Sequence, residues 1–451
     1  MANSYLSRST GTTNKTTFTV SVWAKRALNG ARQVIWSSDK QTNDTGDGTK
    51  GGSGIGLQFW NDDQFYLGGF GGNFQIRSNG LQRDNNGWYH IVAQIDTTQA
   101  DQNNRAKLWI NGENVSSLTA MVGQNTDVKF ATNRIGVKSE TANYSDPDSL
   151  LSYYDGYLAH LHVCDGQTYQ ASDFGQTNST TGIWSPIVSP SVTYGSDGYF
   201  LKFENSGSLG VDSSGNGNNF TTSGSLLQSR STPTNLFNTI NSVDCSANAS
   251  QIKVSATQLY ATGGGDIATR GTLGVNSGKW YWECKSIISA GHGNRKMVGF
   301  YDGSSPVGNG RALSSYKGVL VDLQTGTVYK DGSTSGTTNI SSFSNGDIVG
   351  VFFDADNGEM RFSKNGNMEN SGNAVATGVD MSNYLYLPYI SQDGGGTNNG
   401  DMNCNFGEGY FATTAVSSGN ADANGYGQFE YNPVVSSTNY YALCTKNMEQ
   451  F

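Results

Sequence analysis

Gly346-Asp-Ile-Val-Gly-Val-Phe-Phe-Asp-Ala-Asp-Asn-Gly-Glu-Met-Arg-Phe-Ser-Lys-Asn-Gly366 writes two adjacent β-strands and their turns in one stretch. Ile348 to Phe353 is almost purely apolar, the pattern of a strand buried on both faces, and the cluster Asp354 to Gly358 then turns the chain. Met360 and Phe362 alternate with Glu359, Arg361 and Ser363, so the second strand is expected to keep one wet face. Asn365-Gly366 follows, a dipeptide that closes tight hairpins.

Composition extends this reading to the whole chain. At 451 residues it is too long for one ordinary core. Gly accounts for 59 residues and Pro for only 7, an excess that serves many tight turns and not a collagen-like or proline-rich tract. Tyr 23, Phe 20 and Trp 8 supply apolar cores, while charged residues are only 14%. Asn, Ser, Thr and Gly dominate the polar remainder and favour turns and exposed strand faces. No amphipathic helix longer than about three turns is legible. The expected class is all-β, with two large antiparallel sandwiches.

A net charge of -9 without a Lys/Arg cluster argues against a nucleic-acid partner, which needs concentrated positive charge. Met1-Ala-Asn-Ser-Tyr-Leu-Ser-Arg8 lacks a secretory apolar core, and no apolar run approaches the roughly 20 residues of a membrane span. Synthesis in the cytoplasm and no membrane insertion are therefore expected. Cys164, Cys245, Cys284, Cys404 and Cys444 are odd in number, widely spaced and without a Cys-x-x-Cys pair, which reads as buried, reduced thiols.

In the first half, Phe18, Val20, Val22 and Ala24 alternate with Thr19, Ser21, Trp23 and Lys25, as in an antiparallel strand with one face in the core. Ile55 to Trp60 and Gln64 to Leu67 flank the turn Asn61-Asp62-Asp63, and Tyr89, Ile91, Ala93 and Ile95 share a face of the next strand. Ala106, Leu108 and Ile110 run into Asn111-Gly112, a strong hairpin signal. Gly87-Trp-Tyr-His-Ile-Val-Ala93, Lys107-Leu-Trp-Ile-Asn-Gly112, Asn133-Arg-Ile-Gly136 and Asp155-Gly-Tyr-Leu-Ala159 then occur in an order that resembles a laminin G-like domain of the concanavalin A-like lectin and glucanase superfamily. The resemblance continues through Gly182-Ile-Trp184, Gly198-Tyr-Phe-Leu-Lys-Phe203 and Asp212-Ser-Ser-Gly-Asn-Gly217. There it is similar to marine bacteriophage (cyanophage- and pelagiphage-like) virion proteins, in which this jelly-roll sandwich precedes a SPRY domain.

Residues 223–250 carry few large apolar side chains and contain Ser231-Thr-Pro-Thr-Asn-Leu-Phe237, so they read as an extended connector between a first domain, 1–222, and a second, 251–451. Ser277-Gly-Lys-Trp-Tyr-Trp-Glu283, Val298-Gly-Phe-Tyr301, Gly318-Val-Leu-Val-Asp322, the opening stretch, Tyr386-Leu-Pro-Tyr389 and Asn403-Cys-Asn-Phe-Gly407 resemble the strand order of a SPRY domain with a C-terminal extension. The resemblance implies a β-sandwich that binds through its loops and has no catalytic residues of its own.

Chemistry is sparse. Glucanases of the first fold need two carboxylates on one strand face about 5 Å apart, in a Glu-x-Asp-x-Glu type of pattern that is absent from this sequence. Asp62 with Asp63, and Asp354 with Asp356, read as turn residues. His160, His162 and Cys164 at i, i+2 and i+4 would share a strand face, but the outer two span about 13 Å, too far for one metal. His90 and His292 are isolated. No catalytic, cofactor or metal residue is assigned. Calcium is the ion that the laminin G-like resemblance admits, through the loops Asp44 to Asp47, Asn61 to Asp63 and Asp146 to Asp148, although none has a ligand spacing. Trp60 and Tyr66 flank Asn61, Asp62 and Asp63 in a loop that could stack on a sugar, and these five form the candidate ligand-contact set.

The expected function is that of a non-enzymatic virion protein, a fibre, decoration or host-attachment component. It would bind host-surface glycan or protein through its loops. The alternatives are a purely structural capsid or tail cement protein and a glycan depolymerase. Expected partners are other virion proteins of capsid or tail, a host cell-surface glycan and further copies of the chain.

Overall fold

The computed structural model describes residues 4–10, 14–39, 55–69, 75–120, 122–130, 132–139, 150–246, 252–253, 256–261, 267–288, 296–307, 316–392 and 400–451. The chain divides into two compact units, Met1–Gln228 and Ser229–Phe451. Thr221–Ser223 still pairs with Tyr5–Ser9 in the first unit, whereas Ile240–Cys245 pairs with Ile267–Gly271 in the second.

The first unit is built from two antiparallel sheets. One runs, in order, through Ser116–Ala120, Gln75–Ser78, Phe65–Gly69, Ile55–Phe59, Gln33–Asp39, Thr132–Ile135, Tyr5–Ser9 and Thr221–Ser223. The other runs through Glu113–Asn114, Ala106–Ile110, Tyr89–Asp96, Thr17–Arg26, Gly156–Asp165 and Tyr199–Leu201. Phe18, Val20, Val22, Ile91, Ile95 and Leu108 of the second sheet meet Trp36, Leu57, Phe59, Leu67, Ile76 and Ile135 of the first in one buried cluster. Each large side chain so buried contributes about 1.5–3 kcal/mol. The Trp36 indole donates to the Tyr199 hydroxyl at 2.8 Å, so both polar tips are satisfied inside the core. Asn111 and Gly112 take positive φ, +50° and +89°, and Ile110 faces Glu113, the two-residue turn expected of this dipeptide.

The structure corrects the expectation of one wet face on Thr17–Arg26. Thr19, Ser21, Trp23 and Lys25 are as buried as their core-facing neighbours. A segment following Gly156–Asp165 lies over this outer face, where Tyr169, Ala171, Phe174, Trp184, Val192 and Tyr194 pack against Val92, Trp109 and Cys164 as a second, smaller core. The alternation was real, but its polar members are hydrogen-bonded within the protein: the Thr19 hydroxyl donates to the Gln167 carbonyl at 2.9 Å.

The second unit also pairs two sheets. One comprises Ile240–Cys245, Ile267–Gly271, Tyr386–Gln392, Lys296–Asp302, Gly318–Asp322 and Val328–Lys330. The other comprises Ile252–Lys253, Gln258–Ala261, Gly400–Asn405, Lys279–Ile288, Ile348–Asp354, Glu359–Lys364 and Asn367–Met368, and Tyr441–Ala442 adds to it as a parallel partner of Trp280 and Tyr281. Ile348–Asp354 is buried along its whole length, as its apolar run requires. Asn365 and Gly366, with φ of +49° and +80°, close the hairpin that pairs Lys364 with Asn367.

Glu359–Lys364 does not keep the expected wet face. Ser363 is buried, and the Arg361 guanidinium donates to the Tyr440 hydroxyl at 3.2 Å and to the Gly372 carbonyl at 3.1 Å. Tyr440, Phe429 and Val435 pack here against Tyr281 and Phe352. In both units, then, a segment outside the central strands returns to cover the outer face of a sheet. The sheet also sets Cys284 opposite Cys404 across adjacent strands, with their sulfurs 4.0 Å apart, although 120 positions separate them in sequence. All five cysteines are free thiols, four of them buried and Cys245 half-buried.

Candidate functional site

The loop singled out from sequence joins Ile55–Phe59 to Phe65–Gly69. Asp62 and Asp63 are adjacent but do different things. Asp62 accepts from the Gln64 N–H at 3.0 Å and from the Tyr66 hydroxyl at 2.8 Å, which closes the turn. Asp63, at φ +65°, points inward and is buried. Its carboxylate meets Arg26 at 3.1 Å and Arg83 at 3.0 Å and accepts from the Gly30 N–H at 2.7 Å. Burial alone would raise this carboxyl, but the Gly30 N–H and the two guanidinium groups outweigh it and hold it below the usual carboxylate range.

Trp60 and Tyr66 stack on each other, with centroids 5.0 Å apart and planes 20° apart. Arg32 lies 4.0 Å over the Trp60 ring and Arg77 lies 4.6 Å over the Tyr66 ring. The strands order these four side chains laterally, so guanidinium, indole, phenol and guanidinium form one stack in which the aromatic faces contact protein. Asn61 is exposed at the tip.

For calcium, Asp44 to Asp47 and Asp146 to Asp148 lie outside the described residues. At Asn61 to Asp63 the donor set does not fit a divalent cation, because Arg26 and Arg83 already neutralise Asp63 and would repel a second positive charge. A comparable acidic pair, Asp165 and Asp197, is bridged by the Lys15 ammonium at 2.8 and 2.7 Å. Asp354 and Asp356 both face the Lys279 ammonium, at 2.6 and 3.3 Å, and Asp356 also accepts from the Gly278 N–H, so they tie a turn to the neighbouring strand.

The histidines of the first unit lie on the outer face of its six-stranded sheet. His90 is fully buried between Trp23, at 4.7 Å, and Trp184, at 5.9 Å between centroids. The Trp184 indole can only donate, and it does so to His90 Nδ1 at 2.9 Å. Nδ1 is therefore unprotonated, and the ring hydrogen sits on Nε2, which donates to the Ser21 hydroxyl oxygen at 2.9 Å. Burial, with a smaller contribution from His160, pushes His90 down to about 3, so it stays neutral. This Ser–His pair was not legible from scattered histidines, and its polarity is opposite to that of a base activating a nucleophile.

His160, His162 and Cys164 do not form the single row expected of them. A bulge between Ala159 and His162, with His160 at φ +46°, interrupts the alternation. The His162 ring stacks on Phe200 at 3.9 Å and its Nδ1 lies 3.0 Å from the Tyr194 hydroxyl, and burial holds it well below the ordinary histidine value. Burial pushes the Cys164 thiol up to about 12. Among the described residues, no three His, Cys, Asp or Glu side chains converge as a metal site.

One open groove borders this covered face. It has a volume of about 400 Å³ and is lined by Gln94, Lys107, Trp109, Asn114, Thr168 and Gln170. Sequence reasoning missed it, since two of its walls come from segments about 60 residues apart that meet only in the folded chain.

In the second unit, the most constrained polar group is Glu283. Its buried carboxylate accepts from the Tyr281 hydroxyl and Tyr431 N–H on one oxygen and from the Asn405 amide and Glu430 N–H on the other, at 2.8–3.1 Å. Burial pushes it up to about 7, against the pull of these four donors. Its geometry fastens the segment around Glu430 to the sheet and leaves no lone pair for a ligand.

Residues 1–171 match the family described as the concanavalin A-like lectin/glucanases superfamily, and residues 279–400 match the SPRY domain. No curated protein matches the chain. Among solved structures, the SPRY domain of human HERC1 is similar at 20% identity and a TM-score of 0.29, covering 36% of this chain and 94% of its own. The heptameric SAP-like pentraxin of Limulus polyphemus is similar at 17% identity and a TM-score of 0.30, covering 45% of this chain and 86% of its own. The first family match ends before Phe174, Trp184 and Tyr194, so much of the covering segment lies outside it. On the two family matches, each within one all-β unit, the chain carries a concanavalin A-like, laminin G-like domain followed by a SPRY domain.

Proposed function

We propose that the chain is a non-enzymatic recognition protein of a bacteriophage particle, a fibre, decoration or attachment component that binds host-surface glycan or protein. A lectin/glucanases domain and a SPRY domain share the chain, and the sequence lacks the paired-carboxylate pattern that the glucanases need, which supports recognition over reaction. The observation that carries the non-enzymatic part is the polarity of Ser21 and His90. With Trp184 donating to Nδ1, the imidazole gives its proton towards the serine and cannot withdraw one. The acidic pairs are likewise engaged, Asp63 with two arginines and Asp354 with Lys279.

The virion assignment rests on the resemblance of the motifs between Gly182 and Gly217 to marine bacteriophage proteins. Many copies on a particle would convert a weak site into firm attachment through avidity. Other virion proteins and further copies of the chain are the proposed structural partners.

The test is binding of the purified, folded chain to intact host cells and to a glycan array, with reducing-sugar release measured in parallel. Binding without sugar release is expected. A folded chain that binds neither surface would instead favour the cement role, and sugar release abolished by one carboxylate substitution would overturn the non-enzymatic reading.

A further inference from the structure

The groove on the first unit is a built surface. Gln94 stands directly opposite Lys107 in the ladder between Tyr89–Asp96 and Ala106–Ile110, and Trp109 stands opposite Asn114 on the next strand. Lys107 and Trp109, at i and i+2, therefore share one face, and together the four side chains make a floor two rows deep. The facing wall is Thr168 and Gln170. It is pinned by Thr19, whose hydroxyl donates to the Gln167 carbonyl at 2.9 Å and accepts from the Tyr169 N–H at 3.0 Å. The Gln170 N–H is held in turn by the Asp173 carboxylate at 2.6 Å.

Within this fixed frame several side chains are uncommitted, although Asn114 Oδ1 already accepts from the Ser116 N–H at 3.1 Å and only its amide N–H groups are open to a ligand. Among the described residues, the Gln94 amide, the Lys107 ammonium and the Thr168 hydroxyl make no hydrogen bond to the protein, whereas the neighbouring Thr19 and Ser21 are fully engaged. Amides and hydroxyls that both donate and accept suit a ligand that does the same at many points. The only formal charge in the lining is that of Lys107, in a chain whose net charge is -9. Trp109 contributes the sole aromatic surface and is itself almost fully buried, so there is no apolar pocket to anchor a peptide side chain.

We propose that this groove binds a short saccharide bearing a carboxylate, with Lys107 opposite the carboxylate, Gln94, Asn114, Thr168 and Gln170 on ring hydroxyls, and the edge of Trp109 beneath the ring. The inference rests on the recognition reading above and adds to it a place and a ligand class. Attraction of one carboxylate by one half-exposed ammonium in a wet groove gives modest affinity, which fits a site used in many copies.

The test is titration of the whole chain with tetragalacturonate and with maltotetraose, followed by calorimetry and by the indole N–H resonance of Trp109. Tetragalacturonate is expected to bind and to shift that resonance. Maltotetraose should bind about two- to fivefold more weakly. Lys107→Gln should remove the preference between the two, and Gln170→Ala, at an exposed position, should weaken both about threefold or more without changing the thermal transition. Equal binding of both sugars in the unaltered chain, insensitivity to Lys107→Gln and Gln170→Ala, or no shift at Trp109 would each overturn the groove. Cells or array glycans still bound by both variants would overturn the groove alone and leave recognition standing. Loss of the unaltered chain's binding to cells, array and tetragalacturonate alike would remove both.

Discussion

Trp184 donates its indole N–H to Nδ1 of His90 across 2.9 Å, although 94 positions separate the two in sequence. The contact selects the histidine tautomer, directs the Nε2 hydrogen to Ser21 and holds the covering segment to the sheet. Replacing Trp184 with Phe keeps most of the packing and orphans a buried acceptor. The expected loss is about 1–3 kcal/mol in the stability of the first unit, read from urea denaturation of residues 1–228.

His90 also sets a pH dependence. Its folded value, near 3, lies below the ordinary 6.5, so the unfolded chain binds the proton first as pH falls. Stability from this group is complete above about pH 6.5 and is lost progressively towards pH 3, by on the order of a few kcal/mol. His90→Gln, which can still accept from Trp184 and donate to Ser21, should flatten that part of the profile. An unchanged slope between pH 6.5 and 4 in the variant would contradict the buried, neutral assignment.

Glu283 works in the opposite direction. Its folded value of about 7 lies above the ordinary 4.5, so stability from this group is complete below about pH 4.5 and is lost as pH rises to 7. The penalty of Glu283→Gln in the second unit should accordingly be larger at pH 5 than at pH 8. Chemical denaturation of residues 229–451 and of the variant at both values decides it.

Adjacent aspartates should respond very differently to truncation. Asp63→Ala leaves Arg26 buried without its carboxylate and should cost about 3–5 kcal/mol. Asp62→Ala loses a turn hydrogen bond at an exposed position and should cost about 1 kcal/mol. Similar midpoints for the two variants would show that Asp63 is not the anchor of this loop.

The end of the first unit can be tested by truncation. A fragment of residues 1–228 keeps Thr221–Ser223 paired with Tyr5–Ser9, whereas one of residues 1–220 leaves that edge open. The longer fragment is expected to unfold in one cooperative transition at a higher temperature. The shorter one should show faster amide exchange along Tyr5–Ser9.

Much of the fold is legible along the chain because strands and tight turns are local. The apolar run Ile348 to Phe353 demands burial on both sides, and Asn111-Gly112 and Asn365-Gly366 can adopt the positive φ of a two-residue hairpin where most residues cannot. The order of motifs is legible for the same reason, and it suffices to name both domains.

What each strand face meets was decided only in three dimensions. Alternation states which residues are polar. It does not state whether water or a returning segment satisfies them, so the faces of Thr17–Arg26 and Glu359–Lys364 were read as wet when Gln167, His90, Tyr440 and Gly372 supply their partners. Asp62 and Asp63 look equivalent as letters, yet one positive φ turns the second inward to Arg26. The groove beside Trp109 belongs to the same class of feature: Lys107 and Thr168, about 60 positions apart, line one groove only in the folded chain. Local sequence determined the strands, their turns and the two sandwiches, because those follow from nearest-neighbour sterics and side-chain polarity. Tertiary structure decided which polar side chains are consumed in holding the fold and which are left to bind, because that depends on segments tens to hundreds of residues away.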